Sequence, residues 1–587
     1  MGQAARYGER AALKVRGPEG YREISWNELM AQVEKIALGL LDQGLGAGDR
    51  VAILSENRPE WAIADLAALS GGAATVPVYT SLTPAEIEHI LRDSGAKFAF
   101  VSSVDLLGKI LGLVQELHLK VILLDAPYRV AGPRIWWWGE MLGLGQTASP
   151  EAREKLAERI HGGKSEDLCS IIYTSGTTGP PKGVMLTHSN FLSNCEAVRE
   201  TLPIDDKDTL LSFLPLSHVF ERMAGYYFVL SVGGTIAYAE NMETVAKNLM
   251  EVRPTVVTGV PRFYEKLMER IEAAVQAAPP AKRRIFHWAI GVGRRRARRV
   301  LEKKPVPLGL ALQFQLADRL AFSKLRLRLG GRLRFGISGS APLSREVAEY
   351  FFAAGILILE GYGLTETSPV ITCNRPDQLK FGTVGLPLPG VEVKIAADGE
   401  ILTRGPHVMK GYYNNPAATA EAIDPEGWFH TGDVGTLDAE GFLTITDRKK
   451  DLIKTSGGKM VAPQNLENAL KADPYIADCV VVGDRRKHIA ALLVPDMEKT
   501  TQYARKRRLP VGSPDELVKQ PDIVRFFQER VEQVNAHLAS FEQIKKITLL
   551  PEPFSQVGGQ LTPTLKVKRR VITERYAEQI EGMYREV

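Results

Sequence analysis

Residues 173–184 read Tyr-Thr-Ser-Gly-Thr-Thr-Gly-Pro-Pro-Lys-Gly-Val and concentrate four small hydroxyl side chains, three glycines and a lysine. Glycines let a backbone approach an anion closely, hydroxyl and N–H groups donate to it, and a lysine supplies charge, so the string reads as a phosphate-gripping loop. It is not the P-loop, which requires Gly-Lys followed by Ser or Thr, because Lys182 here stands between Pro181 and Gly183. Other strings have chemistry and a plainer reading side by side. Thr365-Glu366-Thr367 offers hard oxygens to a cation and equally suits a helix start. Asp433 has two acceptor oxygens fit for a vicinal diol, with Arg448 as a possible donor, while Thr431-Gly-Asp433 alone is also a turn signal. Tyr362 between Gly361 and Gly363 could stack on a base or fill a core. His218 titrates near neutrality and could orient a carboxylate, or be a satisfied packing residue.

The elements that must carry these residues show as periodicity. From residue 25 to about 270, amphipathic helical stretches near 27–45, 59–71 and 84–94 alternate with apolar runs at 51–54, 72–78 and 98–101. This alternation predicts parallel strands covered by helices on both faces. Further apolar runs at 170–173, 234–238, 254–260 and 333–338 exceed what one sheet comfortably holds, so two sheets are expected. The phosphate loop is placed between a strand ending at Tyr173 and a helix beginning after Thr187. Beyond about 381 the texture changes to short β-like runs with turn signals, such as 391–395 and 441–446, which predict a small all-β subdomain over about 381–447. A last α/β unit follows the charged stretch 447–451.

With 587 residues, 44% hydrophobic and 24% charged, and a mean hydropathy of −0.10, the chain belongs with soluble globular proteins of several domains. No apolar run of about 18 residues predicts a membrane-spanning helix, and the first ten residues contain no secretory h-region. A cytoplasmic location is expected. Cys169, Cys195, Cys373 and Cys479 lie 26, 178 and 106 positions apart, which suits buried free thiols rather than a metal knuckle or disulfide framework. The net charge of +5 is unevenly placed: residues 281–335 hold 16 basic and two acidic residues, +14, leaving the remainder at −9. Such an island points to an anionic partner or to a solvated helical face. Ile285, Phe286, Trp288, Ala289, Ile290 and Val292, flanked by arginines, suggest peripheral contact with the inner face of an anionic membrane. No nucleic-acid-binding motif surrounds the island, so nucleic acid is not expected as a partner.

The full string at 173–184 closely resembles the signature of the AMP-forming acyl-activating enzymes. Further segments resemble that family in its order: Leu214-Pro-Leu-Ser-His-Val219, Ser338-Gly-Ser-Ala-Pro-Leu343, Gly361-Tyr-Gly-Leu-Thr-Glu-Thr367, Thr431-Gly-Asp433, Asp447-Arg448 and Thr562-Pro-Thr-Leu-Lys566. His218-Val-Phe-Glu-Arg-Met and Gly559-Gln-Leu-Thr-Pro-Thr-Leu-Lys-Val-Lys-Arg look like its long-chain fatty acid branch, although Leu565 stands where glycine is usual. The resemblance implies an α/β fold. A large N-terminal domain, 1–447, would hold two α/β sheet subdomains and the β-rich subdomain, followed by a small mobile α+β C-terminal domain, 448–587.

The same resemblance implies an activity, ATP-dependent ligation of a long-chain fatty acid to CoA through acyl-AMP, with Mg²⁺. It also admits loading of an acyl carrier protein, or a different carboxylate, and a catalytically silent binding protein would be the reading from another class. Thr174, Ser175, Gly176, Thr177, Thr178, Gly179 and Lys182 would hold the β- and γ-phosphates, and Thr177 and Glu366 would bind Mg²⁺. Thr365 would contact the α-phosphate; Gly339, Ser340, Ala341, Glu360, Gly361, Tyr362 and Gly363 would receive adenine; Asp433 and Arg448 would bind ribose. Lys566 is implied as the catalytic lysine, His218 as a group beside the substrate carboxylate or the acyl tunnel, and Lys450 as the hinge of domain rotation. Gly457, Gly458 and Lys459 would line the CoA route in a second state. The oligomeric state is left open, a homodimer included.

Overall fold

Apolar runs buried on both faces build two large sheets in the computed structural model, which describes residues 2–125, 132–174, 181–555, 558–562 and 567–585. The run Val51-Ala-Ile-Leu54 shows why. Its four side chains are all buried within the strand Arg50–Leu54, which two parallel neighbours, Ala74–Val78 and Phe98–Val101, flank, so no face needs to be polar. The intervening helices are fixed by local chemistry. Thr83 and Glu86 form a reciprocal capping box ahead of Pro84–Ser94, with Pro84 at the first helical position.

One sheet has eight strands: Gly411–Tyr412, Lys182–Thr187, Leu168–Thr174, Ala74–Val78, Arg50–Leu54, Phe98–Val101, Lys120–Leu123 and Ile135–Trp137 in spatial order. The other has nine, with six parallel strands from Leu357–Gly363 across to Ala11–Gly17 and antiparallel strands added at both edges. Helices between them complete a shared core.

Two features differ from the sequence expectations. The first strand ends at Thr174 and the helix begins at His188, as expected, but a second strand, Lys182–Thr187, intervenes. The phosphate-gripping string thus joins two antiparallel strands, Leu168–Thr174 and Lys182–Thr187, and the helix His188–Thr201 follows the second. The second strand was hidden because its residues Lys182-Gly-Val-Met-Leu-Thr mix polar and apolar positions without alternation. The β-rich stretch is also less self-contained than its texture suggests. Glu392–Ile395, Glu400–Arg404, Phe429–Leu437 and Leu443–Arg448 form a four-stranded antiparallel sheet, but Leu386–Pro387 pairs into the nine-stranded sheet and Gly411–Tyr412 into the eight-stranded one. These short strands lace the small sheet to both large ones.

Beyond Arg448 lie a hairpin, Ile453–Lys454 with Met460–Val461, and a three-stranded mixed sheet, Ile476–Val482, Ile489–Pro495 and Ile544–Leu549. Helices including Pro463–Lys471 and Pro521–Asn535 enclose a separate core there. All four cysteines are buried, and burial pushes the Cys169, Cys195 and Cys373 thiols up to about 12.

The basic segment corrects one expectation. Phe286, Ala289, Ile290 and Val292 do not form an outward apolar face. They are buried with Gly293 and Ala297, because this stripe of the helix Pro280–Leu301 packs on the helix Arg345–Ala353. A Cβ on Gly293 would lie 2.2 Å from the Ala353 carbonyl oxygen, so the helices touch through backbone. Ile285 and Trp288 alone of the six stay partly exposed.

Candidate active site

The carboxyl ends of the paired parallel strands Phe335–Ser338 and Leu357–Gly363 open onto a cleft of about 1640 Å³. Crevices outside the carboxyl ends of α/β sheets are the usual ligand sites of such folds. Gly339, Ser340, Ala341, Glu360, Gly361, Tyr362 and Gly363 all line it, as the sequence expectation required of a base-binding wall. Gly363 has no room for a side chain, since a Cβ would stand 1.7 Å from the Pro369 carbonyl oxygen. Gly361 would meet nothing closer than 3.4 Å, so its lack of side chain serves access rather than packing.

Tyr362 Oη donates to Asp433 Oδ2 at 2.7 Å, and Arg448 Nε lies 3.2 Å from Asp433 Oδ1. Asp433 and Arg448 are direct cross-strand partners of the small antiparallel sheet, which fixes their juxtaposition. Burial, with Asp433 adding to it, raises the Tyr362 hydroxyl pKa well above its ordinary value, so the tyrosine remains a donor and the aspartate an acceptor. Glu360 is buried beside this group and accepts from the Leu343 amide at 2.8 Å. Burial lifts its carboxyl to about 8, so at neutral pH it adds little negative charge to this wall of the cleft.

Thr174 and Lys182 face each other across the hairpin and both line the cleft; Ser175, Gly176, Thr177, Thr178 and Gly179 lie outside the described residues. Lys182 Nζ stands 4.9 Å from the centroid of the Tyr412 ring, and Tyr412 Oη donates to Glu366 Oε1 at 2.9 Å. Glu366 is held further by its carbonyl, which accepts from the Met409 amide at 2.8 Å. Tyr412 therefore joins the cation of the phosphate loop to the acidic residue of the Thr365–Thr367 turn. Sequence reasoning missed it. Among the described residues no group of three or more His, Cys, Asp or Glu side chains could hold a metal ion. A single carboxylate such as Glu366, with hydroxyl and phosphate oxygens, suits Mg²⁺, which keeps several waters and uses few protein ligands.

The lining of the cleft also includes apolar side chains, among them Val198, Leu202, Phe220, Met223, Phe228 and Ile337. His218 lines it too, with its Nδ1 accepting from the Phe220 amide at 3.2 Å, which places the proton of a neutral imidazole on Nε2. The chain then enters a π-helix, Glu221–Tyr227, whose first two residues turn away from the cleft into full burial. Glu221 accepts from Ser212 Oγ at 2.6 Å and Thr258 Oγ1 at 2.7 Å, both on strands of the nine-stranded sheet, and burial raises its carboxyl to about 7. Arg222 donates to Ser170 Oγ at 2.7 Å and Tyr227 Oη at 2.8 Å, and bonds Asp65 and Thr75, which reach it from the eight-stranded layer. Two adjacent residues thus clamp one sheet each. Neither was singled out for this from sequence, although a charged pair inside an apolar run was the available signal.

The opposite wall comes from the C-terminal part. Lys566 lies outside the described residues, but Thr562, Val567, Lys568 and Arg569 on either side of it line the same cleft as Asp433 and Arg448. Leu561 and Val567 form a β-bridge at the base of this loop, and Arg569 donates to Glu467 at 2.7 Å and to the Val481 carbonyl at 2.6 Å. Asp447, buried and with its carboxyl raised to about 6, accepts from the Gln464 amide at 3.1 Å in the first turn of Pro463–Lys471. Lys450 is exposed and borders the cleft. Gly457, Gly458 and Lys459 form the exposed tip of the hairpin, with Gly458 at φ +77°, and are not among the residues lining the cleft. The arrangement gathers the nucleotide, phosphate and lysine-loop groups and leaves the predicted CoA segment outside.

A two-sheet α/β body followed by a small C-terminal domain is the architecture of the adenylate-forming class of enzymes. The chain belongs to the AMP-binding enzyme family, whose model matches residues 2–413, with the AMP-binding enzyme C-terminal domain matching 450–587. It is 38% identical over 572 residues to the Long-chain-fatty-acid–CoA ligase FadD15 of Mycobacterium tuberculosis, covering 96% of this chain and 92% of that one. It is 33% identical over 616 residues to the Long-chain-fatty-acid–CoA ligase ACSBG2 of Xenopus laevis, covering 99% and 82%. The fold matches the adenylation domain of a carboxylate reductase from Mycobacterium chelonae, with a TM-score of 0.77, 23% identity, and 99% and 90% of the two chains covered. ATP-bound MatB from Rhodopseudomonas palustris matches with a TM-score of 0.72, 24% identity and coverage of 97% and 96%.

Proposed function

We propose that this protein is an AMP-forming long-chain fatty acid:CoA ligase, with an N-terminal domain, 1–447, and a C-terminal domain, 448–587, that rotates about Lys450. The observation that carries the reading is one cleft lined both by the apolar Phe220, Met223 and Phe228 and by the Tyr362–Asp433–Arg448 cluster. The names of the relatives in two bacterial and animal branches support the same substrate class.

In the first half-reaction the fatty carboxylate attacks the α-phosphorus of ATP, giving acyl-AMP and pyrophosphate. Asp433 and Arg448 hold the ribose, the glycine-lined wall takes adenine, and the loop from Thr174 to Lys182 grips the β- and γ-phosphates. Thr365 donates to the α-phosphate. Glu366 and Thr177 would hold Mg²⁺, which would supply charge neutralisation at the phosphates. Lys566 bridges the attacking carboxylate and the α-phosphate, so charge developing in the transition state meets a fixed cation. Rotation about Lys450 then withdraws the lysine loop and brings Gly457, Gly458 and Lys459 to the cleft, where the CoA thiol attacks the acyl carbonyl and releases AMP. Location on the cytoplasmic face of a membrane, in peripheral contact through residues 281–335, fits a substrate that partitions into lipid.

Pyrophosphate release across a series of saturated fatty acids from short to long chain, with and without CoA, tests the reading when products are identified by mass. Turnover peaking at long chains with acyl-CoA formed is the expected result. Acyl-AMP accumulating despite CoA, or release only with other carboxylates, overturns it.

A further inference from the structure

The two halves of the phosphate site hang from different sheets. Lys182 begins the strand Lys182–Thr187 of the eight-stranded sheet, whereas Glu366 lies in the turn Thr365–Thr367 after the strand Leu357–Gly363 of the nine-stranded one. Pairing within one sheet sets no distance to the other, so the register of cation and carboxylate needs a separate fastening.

The segment from His407 to Tyr413 is bonded to both halves. On the turn side, the His407 carbonyl accepts from Ser368 Oγ at 2.8 Å and the Met409 amide donates to the Glu366 carbonyl at 2.8 Å. On the hairpin side, the Lys410 amide donates to the Met185 carbonyl at 3.0 Å and the Tyr413 amide to the Gly183 carbonyl at 2.7 Å, while Gly411 and Tyr412 pair with Met185 and Val184. Two further bonds steady this strap. Asn190 Nδ2 donates to the Val408 carbonyl at 2.9 Å, and the Tyr412 amide donates to Thr419 Oγ1 at 2.9 Å.

The Tyr412 side chain completes the link. Its ring meets the Lys182 ammonium, 4.9 Å from the centroid, and its hydroxyl donates to Glu366 Oε1 at 2.9 Å. A phenol ring is rigid, so one group contacts the cation through its face and the carboxylate through its edge. An ammonium and a carboxylate that met directly would neutralise each other. Spaced by a ring, each keeps its charge for a ligand.

We propose that Tyr412, seated on the strap His407–Tyr413, is a positioning residue that holds Lys182 and Glu366 apart and in register for a nucleotide polyphosphate with its divalent cation. The inference deepens the proposed function and rests on its assignment of Lys182 and Glu366 to the phosphates. The test is titration of the full chain with MgATP and with AMP, in the absence of fatty acid and CoA. Tyr412→Phe should weaken MgATP binding about ten-fold, since the bond to a charged acceptor is lost, and leave AMP binding within about two-fold. AMP lacks the β- and γ-phosphates and keeps the Tyr362–Asp433–Arg448 wall, so a general loss of structure would weaken both ligands. Tyr412→Leu, which removes the ring as well, should cost MgATP about thirty-fold. With Glu366 replaced by Ala, Tyr412→Phe should cost less than about two-fold further, because the partner through which the hydroxyl acts is gone.

MgATP binding by Tyr412→Phe equal to the parent's overturns the proposal. So do equal losses for AMP and MgATP, and a full ten-fold cost in the Glu366→Ala background. If Tyr412→Leu melts early, the conservative Phe variant and the double variant decide the matter by themselves. Acyl-CoA formation is measured separately, so a parent that binds both nucleotides and makes no acyl-CoA fails the ligase reading alone, while the titrations decide the role of Tyr412.

Discussion

The two walls of the cleft are built on different principles. The nucleotide wall is fixed to the body: Asp433 and Arg448 are neighbours in a sheet, Tyr362 is buried and bonded to Asp433, and Gly363 sits against the Pro369 carbonyl. The lysine wall is tied to itself instead. Arg569 bonds Glu467 and Val481, and Leu561 bridges Val567, all beyond residue 448, while Asp447 reaches across to the Gln464 amide. A wall braced within its own domain can move as a unit without losing its internal geometry. Under the proposed function, the first wall would be preorganised and the second would deliver the lysine.

The sharpest test of that contrast is Lys566→Ala. Pyrophosphate release should fall by about 10³-fold or more, while thioester formation from supplied acyl-AMP stays near the parent's. Normal pyrophosphate release would remove Lys566 from the adenylation step. Asp433→Ala strikes the fixed wall and should lower kcat/KM for ATP by about 10²-fold, with Tyr362→Phe costing about three- to ten-fold through KM, because one charge-assisted hydrogen bond is lost rather than the whole cluster. Equal losses in the two variants would show that the hydroxyl, not the carboxylate, organises the wall.

Lys450→Pro probes delivery. It should slow thioester formation about ten-fold and leave acyl-AMP formation within about two-fold. Loss of both half-reactions to the same extent would mean that Lys450 is no hinge.

The smallest expected effect concerns Glu360. Burial raises its pKa from 4.5 to about 8, so between those values the folded state binds the proton that the unfolded state has released. Stability from this group is therefore full below the lower value and declines as pH rises through the window. Glu360→Gln keeps the acceptor for the Leu343 amide and removes the titration. The melting temperature of the variant relative to the parent should rise from pH 5 to pH 8. A difference independent of pH would place the proton elsewhere.

Much of this was legible in the sequence. The apolar runs at 51–54 and 98–101 are strands because residues buried on both faces need no alternation, and the two-sheet count followed from their number. The family strings named Tyr362, Asp433 and Arg448, and the structure brings these three side chains into contact. What escaped detection depended on partners distant in sequence. Tyr412 sits in an ordinary Gly-Tyr-Tyr-Asn string and acquires its position only when Gly411–Tyr412 pairs with Lys182–Thr187. The helix Pro280–Leu301 packs on both Leu308–Ala317 and Arg345–Ala353, and although the spacing of Phe286, Ala289, Ile290, Gly293 and Ala297 marks a buried face, it does not say what covers that face. Its stripe of Phe286, Ala289, Ile290 and Val292 is buried, whereas Leu308, Leu312, Leu316 and Leu320 of the next helical run are exposed, although both sets are apolar.

The clamp at Glu221 and Arg222 carries a consequence for variation. Because these two residues lock the π-helix to both sheets from behind, the neighbours that face the cleft, Phe220, Met223 and Ala224, carry none of that fastening. Under the proposed function, exchanging Ala224 or Met223 for larger or smaller apolar residues would shorten or lengthen the space for the acyl chain while Glu221 and Arg222 keep the backbone pinned. Chain-length preference would thereby be separated from architectural integrity, and one scaffold could be retuned for different fatty acids by changes at a few positions.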